Sequence, residues 1–143
     1  MQVIDTIAAQ AAGIAIRPAP ILRAFASLAG RAEAVVVEGA GGWRVPLGKD
    51  WEMDDLARQL RLPVILVVGM RLGCLNHALL SAQAIGDLLC GWVANEVDAG
   101  MDSMEGNLAS LRERLPVPCL GVVPFGRPAQ DYLDRSFERK FQA

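Results

Sequence analysis

The chain has 143 residues, of which 52% are hydrophobic and 21% charged, with a formal net charge of -2. Such a length supports one domain, residues 1–143, with a real core, and the composition is that of a globular chain rather than a disordered one. The near-neutral charge gives no electrostatic footprint for nucleic acid or an anionic membrane.

Three cysteines, Cys74, Cys90 and Cys119, have neither metal-ligand nor redox spacing, and their odd number points to reduced thiols and a cytoplasmic protein. The longest clean apolar stretch, Val64 to Val68, is too short to span a bilayer. The N-terminus has no basic region and carries Asp5, which argues against a signal peptide.

In chain order, residues 2–12 place Val3, Ile4, Ile7, Ala8 and Ala11 at helical spacing before Gly13. Pro18 to Ala29 repeats the pattern, with Ile21, Leu22, Phe25 and Leu28 on one face and Gly30 behind. Ala34-Val35-Val36-Val37 is a continuous β-branched run, the pattern of a strand buried on both faces. It ends at Glu38 and opens into Gly39-Ala40-Gly41-Gly42. Glu52 to Leu62 reads as a helix stopped by Pro63, and Pro63 to Gly69 as a second buried strand. Gly73 to Leu88 is helical, with Leu75, Ala78, Leu79, Ala82 and Ile85 as its stripe. Gly91 to Ala94 is a third strand closing on Asn95. Ser103 to Leu115 is a helix ended by Pro116, Leu120 to Val123 a fourth strand, and residues 129–141 a final amphipathic helix. Strands alternating with helices specify right-handed crossovers and a mostly parallel sheet, so the fold class is α/β, doubly wound. Ligands of such sheets bind beyond the carboxyl ends of the strands. Glu38, Gly69 to Arg71, Asn95 and Pro124 therefore form one candidate rim.

Several rim residues suit chemistry. A carboxylate at Glu38 can hold Mg²⁺ through oxygen or bridging water. The neighbouring glycines let backbone N–H groups approach a phosphate. Equally, Glu38 to Gly42 can be a tight turn with an exposed acid. Asn95 offers the donor and acceptor that suit a purine edge, or a turn or helix cap. Pro124-Phe125 can wall a base or simply pack. Arg71 to His77 opens a helix whose free N–H groups bind carboxylate or phosphate. Cys74 reads more simply as a small buried hydrophobe, and His77 as a satisfied histidine. Asp54-Asp55 reads as first-turn helix acids rather than a metal pair.

Four segments together resemble dethiobiotin synthetase: Val35 to Gly42 with Pro46-Leu47, Leu62 to Gly69 followed by Leu72 to Leu79, Gly91 to Asn95, and Leu120-Gly121 to Pro124. The resemblance covers residues 1–126, and Leu72-Gly73-Cys74-Leu75-Asn76-His77-Ala78 is its most specific part. It implies a phosphate-loop NTPase type of sheet and a homodimer. The implied activity is ATP- and Mg²⁺-dependent closure of a cyclic urea on 7,8-diaminononanoate with CO₂. Glu38 would help hold Mg²⁺, and Gly39, Ala40 and Gly41 would line the phosphates. Asn95, Glu96, Pro124, Phe125, Gly126 and Asp131 would contact base and ribose. Leu72, Gly73, Cys74 and Asn76 would bind the substrate carboxylate across the dimer. An amidotransferase-linked cobyrinate synthase or a partitioning ATPase is the wider alternative, and Leu72 to His77 argues against it.

The resemblance also implies a first strand and a G-x-x-x-x-G-K-[ST] loop. The chain's two lysines, Lys49 and Lys140, follow no glycine-rich loop. Without that lysine the transferred phosphoryl group lacks charge stabilisation. The expectation is a chain without its first strand and phosphate loop that does not turn over alone, and acts at most as a nucleotide-binding or dimerisation module. Strands 34–37 and 64–68 would then re-pair or stand about 9.5 Å apart.

Overall fold

In the computed structural model, which describes residues 6–39 and 41–134, the chain divides into two units, Met1–Leu62 and Pro63–Ala143. The second unit holds the sheet. Its strands are β1 (Val64–Met70), β2 (Leu89–Glu96) and β3 (Cys119–Val123). Their order is β1-β2-β3 and both pairings are parallel. Each strand is an uncharged apolar run except at its end, where Glu96 closes β2. The crossovers are helices α4 (Cys74–Ile85), extended by a 3₁₀ turn at Gly86–Leu88, and α5 (Met104–Arg114). Parallel neighbours cannot be joined by a hairpin, so each connection must be a crossover of this kind.

The core lies between one face of this sheet and the two helices. Val68, Met70, Trp92 and Ala94 meet Cys74, Ala78, Leu108, Leu111 and Leu115 there. Successive strand residues point to opposite faces. Val93 accordingly belongs to a second, smaller cluster with Leu120, Val123, Ile65 and Leu133. The fold is thus α/β with a parallel sheet, as the alternation of strand and helix patterns implies.

The first unit is helical. It contains α1 (Thr6–Ala11), α2 (Pro18–Ala29) and α3 (Met53–Leu60). Proline in the first turn of α2 removes an N–H that would have no acceptor there. Gly13 follows α1 at φ +67°, the left-handed stop expected of glycine. No side chain of α2 is buried, whereas Leu56 of α3 is.

Two sequence expectations are corrected. Residues 34–37 are irregular and join no ladder among the described residues, and Val36 is 94% exposed. Three consecutive valines favour extended backbone, but a strand exists only through hydrogen bonds to a neighbour. Re-pairing of 34–37 is therefore not realised, and Glu38 does not end a strand. The final helix expected at 129–141 is also absent from its described portion. Ala129–Asp131 is a single 3₁₀ turn, and Leu133 bridges back to Gly121. Once the backbone N–H of Asp134 donates to the Leu120 carbonyl (2.7 Å), the segment serves β3 rather than a helix. Residues 135–141 lie outside the described residues.

Candidate functional site

The carboxyl ends of β1, β2 and β3 fall side by side because the strands are parallel and nearly in register. Gly69 pairs with Asn95, Met70 with Glu96, and Asn95 with Val123. This brings Gly69 to Arg71, Asn95, Glu96 and Pro124 onto one rim of the second unit. Asn95 and Glu96 are half-buried there, and Phe125 and Gly126 are exposed.

Beyond β3 the chain turns at once. The Arg127 N–H donates to the Pro124 carbonyl (3.1 Å), with Gly126 at φ +68° in the left-handed region that suits glycine. The Phe125 N–H donates to a Glu96 carboxylate oxygen (3.1 Å), which ties the end of β2 to this turn. No sequence signal announced that link, since residues 29 apart share no periodicity. Asp131 ends the following 3₁₀ turn and is exposed. The segment lies so close to β3 that a Cβ on Gly121 would stand 2.4 Å from the Tyr132 carbonyl oxygen. Gly121 thus permits the approach that positions the Pro124 to Asp131 loop.

At the mouth of β1, Arg71 and Leu72 are exposed and Gly73 starts α4 at φ +91°. First-turn N–H groups of an α-helix lack intrahelical acceptors. Here Cys74 N–H is met by the Arg71 carbonyl at 3.0 Å. Asn76 and His77 are exposed, but Cys74 is only 2% exposed and packs in the core. Its thiol faces Asn107, with Sγ 3.9 Å from Oδ1. Of the four helix-start residues expected to meet substrate, Leu72, Gly73 and Asn76 present themselves to solvent. Cys74 has only its backbone to offer.

In the first unit, Glu38 and Gly39 are exposed, and Ala40 lies outside the described residues. Gly41 (φ +79°) and Gly42 (φ +129°) hold backbone that other residues rarely adopt. The chain then enters a pinned turn. Leu47 N–H donates to the Trp51 carbonyl (3.0 Å), and Met53 N–H to the Val45 carbonyl (2.9 Å). The Arg44 guanidinium grips the Glu52 carboxylate with both arms, one at 3.2 Å. This forked pair was not legible in the sequence. It holds the Glu52 carboxyl below its ordinary value, chiefly through the Arg44 hydrogen bond, with desolvation opposing. Glu52 N–H donates to Asp55 (2.8 Å), and Asp54 lies 3.9 Å from Arg58. Both aspartates therefore act as first-turn helix acids.

Among the described residues no group of three or more His, Cys, Asp or Glu side chains could cage a metal. Mg²⁺ does not require one, since it keeps its waters and is commonly held by one or two carboxylates plus substrate phosphates. An exposed Glu38 beside glycines fits that shared kind of site. No helix of the described residues is long and apolar enough to cross a membrane.

Residues 1–131 match the family described as AAA domain. The chain belongs to this family. It is also 55% identical over 121 residues to the ATP-dependent dethiobiotin synthetase BioD of Aromatoleum aromaticum, covering 82% of this chain and 54% of that protein. The protein of the same name in Pseudomonas aeruginosa is 57% identical over 122 residues, again 82% of this chain and 54% of its own length. That of Xanthomonas oryzae is 50% identical over 127 residues, 87% of this chain and 57% of its own. The chain spans about half the length of the curated relatives it matches. The resemblance to dethiobiotin synthetases and the phosphate-loop type of α/β sheet therefore hold.

Proposed function

We propose that this chain carries the base-binding, substrate-carboxylate and metal-carboxylate parts of an ATP-dependent dethiobiotin synthetase. The observation that supports this most directly is the shared rim, where Gly69 to Arg71, Asn95-Glu96 and Pro124 to Gly126 come together from three parallel strands. Asn95 and the Pro124 to Gly126 turn, with Glu96 and Asp131, face the base and ribose. The start of α4, through Leu72, Gly73, Asn76 and the Cys74 backbone, receives the distal carboxylate of 7,8-diaminononanoate from the other subunit of a cytoplasmic homodimer. Glu38 contributes a carboxylate to Mg²⁺, which offsets the charge on the phosphates, and Gly39 to Gly41 bring backbone N–H groups to them. In the reaction an amine of the substrate takes up CO₂ as a carbamate. ATP phosphorylates it, and the second amine displaces phosphate to close the ring.

One observation favours a second reading, a module that binds nucleotide or dimerises without turnover. Neither Lys49, which precedes Asp50, nor Lys140, which precedes Phe141, belongs to a G-x-x-x-x-G-K-[ST] segment. The two readings separate in one assay of ATP-dependent dethiobiotin formation, with and without an added polypeptide bearing a G-x-x-x-x-G-K-[ST] loop. Turnover restored by the added polypeptide, and weakened by Glu38→Gln, is the expected result. Nucleotide binding with no turnover under either condition leaves the second reading. Absence of turnover and of nucleotide binding, with a monomer in sedimentation, sinks the two together.

A further inference from the structure

The segment that follows the glycine loop folds back on itself as a small antiparallel turn. Pro46 bridges to Glu52, and the Gly48 N–H joins that of Leu47 on the Trp51 carbonyl, at 3.2 Å. The Trp51 indole lies so close to Gly48 that a Cβ there would stand 2.6 Å from Nε1. This turn touches the glycine loop at two places. A Cβ on Gly39 would stand 3.5 Å from Met53 Cγ and Sδ, and one on Gly41 3.3 Å from Val45 Cγ2. Val45 and Met53 are the two residues joined by the 2.9 Å backbone bond. They form one platform beside the glycines.

Two consecutive side chains fasten the exit of the loop to α3. Arg58 lies over the Trp43 ring, 5.6 Å from its centroid, and Arg44 forks onto Glu52, the cap of that helix. The Arg44 side chain is 67% exposed and that of Glu52 31%. Water screens such a pair, so it adds little to stability. A two-point guanidinium–carboxylate contact nevertheless fixes direction as well as distance. Glycines accept many backbone shapes and enforce none, so the loop takes its order from what flanks it. The fork spans that flank, with Val45 and Met53 each next in sequence to one of its members.

We propose that Arg44 and Glu52 are a positioning pair for Glu38 and the Gly39 to Gly41 backbone. The fork holds the Val45–Met53 platform against the glycines, and so keeps one carboxylate and its neighbouring N–H groups in a single arrangement for Mg²⁺ on phosphates. The inference rests on the role given to that loop under Proposed function. The pair acts through the loop, without touching metal or phosphate.

Titration of the full chain with ATP, alongside the loop-bearing polypeptide, once in Mg²⁺ and once in EDTA, tests it. The quantity read is the ratio of the two affinities. Arg44→Met and Glu52→Ser should each lower that ratio by roughly 10-fold, as loss of a metal ligand's supporting contacts does. Serine at position 52 still caps α3 but is too short to reach Arg44. One variant removes a positive charge and the other a negative one. A direct electrostatic effect on ATP would therefore move them in opposite directions, whereas lost positioning moves them together. Amide exchange at Gly41 to Val45 in the ligand-free chain should quicken in both. Opposite shifts, an unchanged ratio or unchanged exchange, in a chain whose ratio Glu38→Gln does lower, would overturn the proposal and leave the role of Glu38 standing. A parent chain without Mg²⁺ dependence, or with one indifferent to Glu38→Gln, would overturn that role and this proposal with it.

Discussion

Replacing Gly121 by alanine puts a Cβ where the Tyr132 carbonyl oxygen lies 2.4 Å away, Leu133 Cδ2 3.0 Å and Leu133 Cα 3.2 Å. Two of those atoms are backbone, so no side-chain rotation relieves the clash and the 132–134 segment must move off β3. Its connections are the Gly121–Leu133 bridge and the Asp134 N–H to Leu120 carbonyl bond of 2.7 Å. Overpacking of this kind costs about 1–3 kcal/mol. A gain of about 0.4–1 kcal/mol from the less flexible unfolded chain offsets part of it. The net loss, about 1–2 kcal/mol, lowers the melting temperature by about 3–8 °C for a chain of this size. Cleavage by a broad-specificity protease should concentrate between Pro124 and Asp134, because the released loop is the one that connects to the rim. Gly126→Ala is the comparison. Its φ is +68° but nothing lies within 4 Å of the added Cβ, so it should lose stability without releasing that segment. Equal melting of Gly121→Ala and the parent chain, with unchanged cleavage, would show that the close approach to β3 does not hold the loop.

Glu96→Ala removes the acceptor of the Phe125 N–H. A loss of about 0.5–1.5 kcal/mol and faster amide exchange at Phe125 are expected, whereas Glu96→Gln should keep most of both. Trp92 is wholly buried with Nε1 lacking an acceptor among the described residues. Trp92→Phe should therefore cost less than about 1.5 kcal/mol by chemical denaturation, against about 3–5 kcal/mol for Trp92→Ala. The Arg44–Glu52 fork gives a pH signature with a definite sign. Glu52 has a folded value below its ordinary 4.5, so its contribution is present above that value and disappears as pH falls through the lower, folded one. Melting curves from pH 6 down to about 3 should show this fall in the parent chain and not in Arg44→Met, the two converging at the acid end.

The three strands of the sheet were legible because each is an apolar run bounded by proline, glycine or a polar residue, and a buried parallel strand needs little else. The rim followed for Gly69 to Arg71, Asn95 and Pro124, since parallel topology fixes which strand ends lie together, but not for Glu38, which ends no strand. The valine run at 34–37 was misread because local propensity records what a segment can do, whereas a ladder also needs a partner at the right distance. Residues 129–134 failed for a related reason. Their amphipathic pattern competes with a docking site on β3 that only the close approach at Gly121 reveals. Cys74 illustrates the reverse case. The resemblance around it implied ligand contact, whereas its reading as a small buried hydrophobe was the right one, and its side chain lies in the core on the inner face of α4.

The bond between Glu96 and Phe125 has a thermodynamic corollary. If a ligand hydroxyl or a cation draws the Glu96 carboxylate off the Phe125 amide, that N–H loses its acceptor, and occupancy and order in the Pro124 to Gly126 turn become linked variables. By reciprocity, any change that stiffens this turn in its present form weakens binding at Glu96 by the same factor that binding loosens the turn. The apparent affinity at the end of β2 is therefore set in part by a peptide group 29 residues further along the chain.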